Sequence, residues 1–465
     1  MISAADPAIG AAIYELSLRL AGDLHEPGSP GYEDACSLFN SMVARRPRLV
    51  ARCTAPDDVV AGLAFARDHD MRVTVRAGGH SVTGASLCDD GLVLDVRGMA
   101  DVEVDAERRI ARIGGGATWA AVDRATQAHG LATTGGRVSS TGVVGLTAGG
   151  GSGWLERKHG LACDSLVAVE LVTADGRFVR ASEDENPELL WAHRGGGANF
   201  GVVTALELAL HPVGPEVLAG LLLHPAERGP EVLRLYRDTM RDAPDGLSLA
   251  LLYLTGPDEP EIPAELRGRP VVAVGGMYAG SIEEGEAALR EIRAFGPPAA
   301  DFFAPTPYAE FQCSLDDPPG YRNYWTVEHL DDLPAPAIDA IHERSRRIPP
   351  GPAQLFIAAW GGAVARNASG SVVAGRDARF VVHPLFLWED PADDAAMIEL
   401  GRGYRELLAP WATGAAYSNF LGDEGEDRAR AAFAPGAYER LAAIKAEWDP
   451  GDVFLATGHV PPAAR

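Results

Sequence analysis

Glycine is concentrated in one short stretch of this 465-residue chain, and that concentration limits what the stretch can fold into. Residues 135–153 read GGRVSSTGVVGLTAGGGSG, so eight of 19 positions are glycine. Each glycine weakens a helix by about 1 kcal/mol relative to alanine, and a long regular element is therefore not expected. Glycine is favoured where the backbone must approach another group closely, because it carries no Cβ atom. The stretch is expected to form turns that press the main chain against a neighbour or a ligand.

Two more glycine-rich turns flank predicted strands. The segment RAGGHSVTG (76–84) follows the alternating pattern MRVTVR (71–76), and GGGANFG (195–201) precedes VVTALELAL. The last turn does not have the G-x-G-x-x-G spacing of a Rossmann fold, since its glycines fall at offsets 0, 2 and 6. Small residues after a strand expose backbone N–H groups that suit an anion such as pyrophosphate. A single turn of this kind is more often only a tight turn, and His80 within it is more often a packed histidine.

The charge balance excludes several classes of partner. Subtracting 65 acidic residues from 41 basic ones leaves a formal charge of −24, and no basic run interrupts it. Nucleic acids and anionic lipid surfaces are therefore not expected as partners. No apolar run reaches the roughly 18–20 residues of a membrane span, and the N-terminus lacks the pattern of a secretory signal. Five scattered cysteines favour free thiols in a reducing cytoplasm, so we expect a cytoplasmic protein. A monomer and a homodimer both stay open.

Several catalytic signatures are missing from the sequence. Lys158 and Lys445 are the only lysines and neither follows a glycine, which excludes the P-loop of nucleoside triphosphatases. The 12 histidines include no H-x-x-x-H pair and the cysteines no C-x-x-C pair, so no metal site is expected. No G-x-S-x-G is present, which excludes the usual nucleophile elbow of hydrolases.

Hydrophobic periodicity divides the chain into three regions. The first combines short helices and strands, with a helix through 55–68 and hairpins at 102–113 and around Asp175-Gly176. After Pro212, amphipathic helices alternate with longer strands such as LFIAAW and ARFVVHPLFLW, which is typical of a second α+β unit. The tail has a strand-like segment, AAYSNF, and a helix over 436–447. The expected divisions are 1–215, 216–410 and 411–465.

Four segments occur in an order that resembles one known family. Residues 76–84 carry R-x-G-G-H-x-x-x-G, and later segments read TGVVGLTAGGGSGWLERKHGLACDSLVAVELVTADG, ENPELLWAHRGGGANFGVVTALEL and, in the tail, AAYSNFLGDEG with AYERLAAIKAEWDPGDVF. Together they resemble the berberine-bridge-enzyme-like FAD-linked oxidases of the vanillyl-alcohol-oxidase/PCMH superfamily, over about 45–212 and 411–457 and more weakly between. The resemblance implies an α+β fold. Its parts are a PCMH-type FAD-binding domain in two pieces, an α/β substrate domain with a large antiparallel sheet, and a C-terminal segment that returns to the FAD domain.

The same resemblance implies that FAD is bound and that its 8α-methyl group is bonded covalently to His80. Such a bond withdraws electrons from the flavin, which raises its reduction potential, and it prevents loss of the cofactor. Relatives with a second covalent link use a cysteine in G-x-C-x-x-x-G-x-G-G, and Val138 stands at that place here. The other residues that the resemblance places around FAD are Arg76, Ala77, Gly78, Gly79, Ser81, Gly84, Ser139, Ser140, Gly142, Gly145, Gly149, Gly150, Val202 and Asn419.

Tyr417, in the tail motif YSNF, corresponds to a family tyrosine near flavin N5 that commonly acts as a base. Tyrosine has a pKa of about 10, so this role needs a nearby positive charge or hydrogen-bond donor; the alternative is a ring that only packs against the flavin. Several relatives carry an acidic base on the strand that corresponds to residues 355–359, where this chain has none. That difference favours Tyr417 and an apolar pocket. The candidate lining residues, about half of which are expected to be core only, are Phe356, Trp360, His383, Phe386 and Trp388.

The function that the resemblance implies is that of a flavoprotein oxidase. A substrate C–H bond gives a hydride to flavin N5, a base takes the accompanying proton, and molecular oxygen reoxidises the flavin to release hydrogen peroxide. The strand LFIAAW favours an apolar or aromatic small molecule over a sugar, and GGAVAR and the tail are most similar to oxidases of bacterial natural-product pathways. Three alternatives stay open. They are an oxygenase acting on a polyketide-like substrate, a dehydrogenase with a cytochrome or quinone as acceptor, and a binding protein that has kept the fold without catalysis.

A single covalent link is expected, through His80. Proteolysis of the flavin-loaded protein followed by mass spectrometry should give one flavin-bearing peptide, and that peptide should contain His80. Val138 cannot form a thioether, and the nearest cysteine, Cys163, lies in a different part of the motif. A flavin-bearing peptide that contains Cys163 would contradict the prediction, whereas His80→Ala should release all flavin on denaturation.

Overall fold

Four β-sheets organise the part of the chain that the computed structural model describes, residues 7–317 and 319–464. The first sheet contains β1 (Leu24–His25), β2 (Leu49–Arg52), β3 (Val73–Arg76) and β4 (Leu92–Asp95), in the order β1-β2-β4-β3. β2, β4 and β3 run parallel. The first helices are α1 (Pro7–Arg19), α2 (Tyr32–Cys36) and α3 (Pro56–Asp68). The turn at 77–84 leaves the carboxyl end of β3, and ligands commonly bind at that edge of a parallel sheet.

The second sheet is antiparallel and includes the strand that follows the glycine-rich stretch. The next seven strands are β5 (Val102–Asp105), β6 (Ile110–Gly114), β7 (Leu131–Ala132), β8 (Leu166–Val172), β9 (Phe178–Ser182), β10 (Val202–Ala209) and β11 (His211–Pro212). Five of them follow the order β5-β6-β10-β8-β9, while β7 pairs with β11. The next helices are α4 (Trp119–Gln127), α5 (Val143–Ala148), α6 (Glu156–His159) and α7 (Pro187–His193). The glycine-rich stretch 135–153 thus forms no long regular element, as its composition predicts, and holds only the six-residue α5.

The remaining strands form one antiparallel sheet. They are β12 (Glu216–Pro225), β13 (Leu247–Thr255), β14 (Pro270–Tyr278), β15 (Ala300–Asp301), β16 (Ala304–Pro307), β17 (Arg322–Trp325), β18 (Glu328–Leu330), β19 (Gln354–Ala359) and β20 (Phe380–Trp388). Their order is β15-β12-β14-β13-β19-β20-β17, with β16 paired to β12 and β18 paired to β20. The helices of this region are α8 (Gly229–Arg241), α9 (Ile282–Ala294), α10 (Tyr308–Phe311), α11 (Ala335–Ser345), α12 (Gly362–Arg366) and α13 (Asp394–Leu408).

Side chains alternate between the two faces of this large sheet, because successive residues of a strand point to opposite sides. One face, which includes Leu251 and Ile357, packs in one core with α8, α9, α11 and α13. The opposite face includes Phe356 and packs with Trp154 from the first half of the chain and Tyr417 from the tail. The second face is therefore the one that meets the rest of the molecule.

The tail returns to the first half of the chain. Its helices are α14 (Glu426–Arg430) and α15 (Ala437–Trp448). Leu441 of α15 shares a buried core with Leu189 of α7. The Lys445 ammonium is fully buried and donates hydrogen bonds to the carbonyl oxygens of Asn199 and Phe454, each at 2.8 Å, and to the Asp449 carboxylate at 2.6 Å. One ammonium thus joins α15 to two loops.

Most of the predicted elements are present. The helix at 55–68, the two hairpins and the helix at 436–447 are confirmed within a residue or two, as is the α+β class with a large antiparallel sheet. The predicted strand AAYSNF is wrong, because Ser418–Phe420 forms a short 3₁₀ helix. The other 3₁₀ helices are Val96–Gly98, Ala162–Ser165, Ala226–Arg228 and Pro391–Asp393. The domain division stays a prediction, although strands change sheet between Pro212 and Glu216. Within residues 7–317 and 319–464, no helix is both long and apolar enough to cross a membrane.

The buried Lys445 should be essential for stability. Lys445→Met removes the only charge that balances the buried Asp449 carboxylate at hydrogen-bond distance and leaves two carbonyl groups without a donor among the described residues. Breaking a buried ion pair costs about 3–5 kcal/mol of unfolding free energy, which urea denaturation can measure. Arg366→Met, which breaks the exposed pair with Asp245, is the control and should cost less than about 1 kcal/mol. Similar losses in the two variants would contradict the assignment.

Candidate functional site

A large cavity lies between the first sheet, the glycine-rich stretch, the large antiparallel sheet and the tail. It encloses about 1750 Å³, including its open mouth. The turn after β3, the glycine-rich stretch, the facing strands β19 and β20, and segments 418–421 and 454–457 all contribute to its wall. Glycine and backbone dominate one part of the wall, whereas aromatic side chains of the large sheet dominate another. The cavity therefore has two chemically distinct regions.

Two glycine-rich segments contact each other backbone to backbone at the cavity wall. A Cβ atom on Gly78 would lie 2.2 Å from the nitrogen of Gly142, and one on Gly142 would lie 2.5 Å from the nitrogen of Gly78. Neither position can carry a side chain unless the segments separate. Gly145, in α5, is different, because a Cβ atom there would meet nothing within 4 Å, and this residue lines the cavity. The glycines thus serve close chain packing at some positions and open space at others.

The turn after β3 presents free backbone donors to the cavity. Residues 77–82 line it, and among the described residues the N–H groups of 78–82 donate no backbone hydrogen bond. Gly79 has φ +72, which is the left-handed conformation that turns such N–H groups to one side. Unpaired N–H groups at a cavity wall suit a ligand with negatively charged oxygens.

His80 projects from this turn into the cavity and contacts two hydroxyl groups. Its Nε2 lies 3.0 Å from Ser140 Oγ, and its Nδ1 lies 3.4 Å from Thr141 Oγ1. The ring stacks on Phe39 with a centroid separation of 4.4 Å. Burial lowers the pKa of His80 to about 4, against a smaller opposite effect of Asp316. The imidazole is therefore neutral near pH 7 and keeps the lone pair that bond formation to a carbon electrophile requires.

Arg76 and Gly84, also predicted to contact FAD, do not line the cavity. The Arg76 guanidinium is buried and donates to the carbonyl oxygens of Asp34 at 2.9 Å, Ala35, and Ser37 at 2.6 Å. Burial lowers its pKa to about 10, so the group still carries its charge at neutral pH. Its position supports the segment beneath the turn rather than a phosphate in the cavity.

The predicted residues of the glycine-rich stretch divide between the cavity and its support. Val138, Gly142, Gly145 and Gly149 line the cavity. Ser139 turns away, because its N–H and hydroxyl groups both donate to Asp316 at 2.6 Å. Ser140 and Gly150 do not line the cavity either, because Ser140 contacts His80 and Gly150 faces the Tyr417 ring. Val202, predicted from a later motif, is buried in the core of the first sheet.

Tyr417 is fully buried behind the cavity wall. Its hydroxyl oxygen accepts hydrogen bonds from the backbone N–H groups of Gly151 at 2.7 Å and Ser152 at 2.8 Å, and from Asn419 Nδ2 at 3.2 Å. Burial raises the pKa of the hydroxyl, and the bonds from Asn419 and Ser152 oppose that shift. Tyr417 is not among the residues that line the cavity, whereas Asn419 lines it. The proposed role of Tyr417 as base stays a prediction that its position does not favour.

The predicted substrate residues lie on both faces of the large sheet. Phe356 on β19 pairs directly with His383 on β20, and both line the cavity. Phe386 and Trp388 lie three and five positions after His383, so they point to the opposite face and join the core beneath the helices. Trp360 is also buried, with its ring edge-to-face against Tyr417 at 5.7 Å. The structure thus brings two of the five candidates to the cavity.

The cavity is also lined by residues that the sequence analysis did not name as site residues, and six of them bear on its chemistry. Gln354 and Leu385 lie two positions from Phe356 and His383, so strand alternation could have found them. Arg137 and Phe420 lie inside predicted motifs, directly beside Val138 and Asn419. Asp317 and Trp325 come from segments that no motif marks.

Two of these residues bring charge to an otherwise apolar region. The Arg137 guanidinium donates to Ser152 Oγ at 2.9 Å and to Glu156 at 2.7 Å, and it lies over the rings of Trp154 and Phe356 at 4.7 and 5.1 Å. The Glu156 carboxylate therefore balances its charge. A different situation holds for Asp317, whose carboxyl pKa is raised to about 6 by burial and by the neighbouring Asp316. A carboxyl group with such a pKa can exchange a proton near neutral pH.

The cavity fits FAD in two respects. The free N–H groups of the turn after β3 match a pyrophosphate, and the neutral His80 in the same turn matches a covalent attachment point. Gly197, Thr457 and neighbouring residues extend the wall further along the cavity, as the length of a dinucleotide requires. The aromatic region adjoins this cradle without an intervening barrier, since both line one cavity.

Comparison with known proteins places these features in context. A family model described as "FAD binding domain" matches residues 47–182, and one described as "Berberine and berberine like" matches residues 416–461. The chain is 29% identical over 469 residues to (R)-6-hydroxynicotine oxidase of Paenarthrobacter nicotinovorans, covering 96% of this chain and 98% of that protein. It is 31% identical over 358 residues to an FAD-linked oxidoreductase of Dictyostelium discoideum, covering 76% and 75%. The crystal structure of 6-hydroxy-D-nicotine oxidase from Arthrobacter nicotinovorans superimposes with a TM-score of 0.87 at 28% identity, covering 96% of this chain and 99% of that one.

The buried position of Tyr417 predicts a structural effect of its removal. Tyr417→Phe leaves the buried N–H groups of Gly151 and Ser152 without an acceptor, which should lower the unfolding free energy by about 1–3 kcal/mol. The rate of flavin reduction by a substrate, followed by stopped-flow absorbance, should change less than about tenfold. A loss of about 100-fold without loss of stability would instead show that Tyr417 is the base. Asp317→Asn is the comparison variant, because Asp317 lies on the cavity surface.

Proposed function

The chain belongs to the berberine-bridge-enzyme-like family of FAD-linked oxidoreductases, and from that membership we propose that it is an oxidase of an apolar or aromatic small molecule. Molecular oxygen is the proposed electron acceptor, and hydrogen peroxide the second product. FAD, when bound, takes a hydride from a substrate C–H bond and returns the two electrons to oxygen. The single observation that carries the proposal is that the backbone cradle with His80 and the aromatic wall with Phe356 and His383 line one continuous cavity.

We propose that His80 holds the flavin covalently. Three features of the turn support this role. The imidazole is neutral because burial lowers its pKa, its ring is fixed by stacking on Phe39, and both ring nitrogens lie close to hydroxyl groups that can relay a proton. Bond formation at one ring nitrogen releases the proton of the other, and the hydroxyl group of Ser140 or Thr141 is placed to take that proton while it passes its own to solvent.

The substrate class is proposed from the wall opposite the cradle. Trp325, Phe356, Leu385 and Phe420 make this wall apolar and mostly aromatic, and it excludes water from the place where the substrate is oxidised. The relative with 29% identity is named for 6-hydroxynicotine, which supports a small aromatic substrate for this chain as well. A wall of this composition offers few partners for the many hydroxyl groups of a sugar.

Asp317 is the group that we propose to accept the substrate proton. Its carboxyl group lines the cavity, and a pKa of about 6 leaves it ionised but still basic near neutral pH. Arg137 is less suited to proton transfer, because its guanidinium stays charged and is bonded to Glu156. This assignment replaces Tyr417 by a residue that the cavity exposes.

An oxidase forms hydrogen peroxide in a fixed ratio to the substrate that it oxidises. Small aromatic alcohols and amines are first screened under anaerobic conditions for bleaching of the flavin absorbance. With a substrate found in this way, one molecule of hydrogen peroxide should form in air for each molecule of substrate oxidised. No isotope should enter the product from labelled oxygen gas. Label in the product would favour the oxygenase alternative. Slow flavin reoxidation in air, with fast reoxidation by a quinone, would favour a dehydrogenase.

A further inference from the structure

One nitrogen in the aromatic wall has no partner. His383 lies on β20 and is 99% buried, and its Nδ1 is 2.8 Å from the carbonyl oxygen of Thr326. A carbonyl oxygen only accepts hydrogen bonds, so Nδ1 carries the ring proton and Nε2 carries a lone pair. Within residues 7–317 and 319–464, Nε2 has no hydrogen-bond partner.

The position of this nitrogen separates it from similar groups elsewhere. An unpaired buried polar atom costs about 1–3 kcal/mol, so each one calls for an explanation. His193 and His329 also have an unpaired buried Nε2, but neither of them lines the cavity. His383 does line it, between the apolar residues Phe356 and Leu385.

The imidazole ring is fixed in orientation. It stacks on Phe420 with a centroid separation of 4.0 Å and an interplanar angle of 6°, and Trp325 packs against it edge-to-face at 5.4 Å. Together with the bond to Thr326, these contacts prevent the ring from turning to find another partner. The acceptor atom therefore keeps one direction.

The charge of the ring is also fixed near neutral pH. Burial lowers the pKa of His383 to about 4, the bond to Thr326 opposes that shift, and the positive charge of Arg137 adds to it. The imidazole is therefore neutral and offers Nε2 only as an acceptor. A neutral hydrogen-bond acceptor in an apolar wall favours a ligand that carries a hydrogen-bond donor. A ligand without a donor leaves the acceptor unpaired and therefore binds less tightly.

We propose that His383 Nε2 accepts a hydrogen bond from a hydroxyl group on the substrate, so that the site selects hydroxylated aromatic molecules over those without a donor. His383 is then a specificity-determining residue. The inference rests on the proposed function, because it assumes that substrates occupy the aromatic region of the cavity. No bond is broken in this interaction, and the hydroxyl proton stays on oxygen while Nε2 receives the hydrogen bond.

Binding of two simple probes tests the proposal without any need for turnover. The flavin-loaded protein is titrated in a calorimeter with 4-nitrophenol and, separately, with nitrobenzene, at a pH where 4-nitrophenol is neutral. Nitrobenzene has the same ring and no hydroxyl group, so the two affinities differ by the effect of the hydroxyl group. The protein should bind 4-nitrophenol at least about tenfold more tightly. Equal affinities, or no binding of 4-nitrophenol at millimolar concentration, would overturn the proposal.

Three variants locate the effect at Nε2. His383→Phe should abolish the preference for 4-nitrophenol, whereas His383→Gln, whose side-chain oxygen can reach a similar place, should restore part of it. His329→Phe is the matched control, because it removes another unpaired buried imidazole that lies outside the cavity, and it should keep the preference. Flavin content and circular dichroism establish that each variant is folded. Should His383→Phe not fold, the His383→Gln variant and the wild-type preference decide the question.

The outcomes separate this inference from the proposed function. If His383→Phe removes the preference for 4-nitrophenol, the role of His383 is supported. If, in addition, no substrate yields hydrogen peroxide, only the proposed oxidase activity is overturned. Oxidase activity with a preference that His383→Phe leaves unchanged retains the proposed function and overturns the role of His383.

Discussion

The contact between Gly78 and Gly142 is the constraint on which the functional part of the structure depends. Their backbones approach so closely that a Cβ atom on either residue would lie within 2.5 Å of the other residue's nitrogen. This contact holds the turn after β3 against the glycine-rich stretch, so that His80 meets Ser140 and Thr141. The same turn exposes its backbone N–H groups to the cavity. The cradle is thus made from main chain, and the absence of side chains is what allows it to form.

The rest of the cavity is nearly uncharged, and that property suits hydride chemistry. His80 and His383 are neutral because burial lowers both pKa values, and Arg137 is balanced by Glu156. The exception is Asp317, whose raised pKa places it where a proton can be taken up and released. A water-poor site with one adjustable charge favours the loss of a hydride and a proton from a neutral substrate.

Each of the two parts of the cradle can be recognised in the sequence because each part is local. The strand at 71–76 runs directly into the turn that contains His80, and the glycine-rich stretch 135–153 is one continuous segment. The order of these motifs along the chain then indicates that they belong to one site. The substrate wall depends on distant strands instead. Phe386 and Trp388 were candidates by composition, and strand alternation excludes them once His383 is known to face the cavity. Which face meets the cavity is decided by the packing of the whole sheet, and no short segment contains that information. The same reason hides Trp325, which lies on β17 of the same sheet.

The proposed function requires one cavity to hold FAD, bonded to His80, beside an aromatic wall. The visible absorption spectrum of the purified protein, recorded before and after acid precipitation, is the sharpest test. We expect the spectrum of an oxidised flavin, and this flavin should stay with the precipitated protein. When His80 is replaced by alanine, the flavin should pass into the supernatant. A colourless protein, or flavin that leaves the wild-type protein on precipitation, would contradict this proposal.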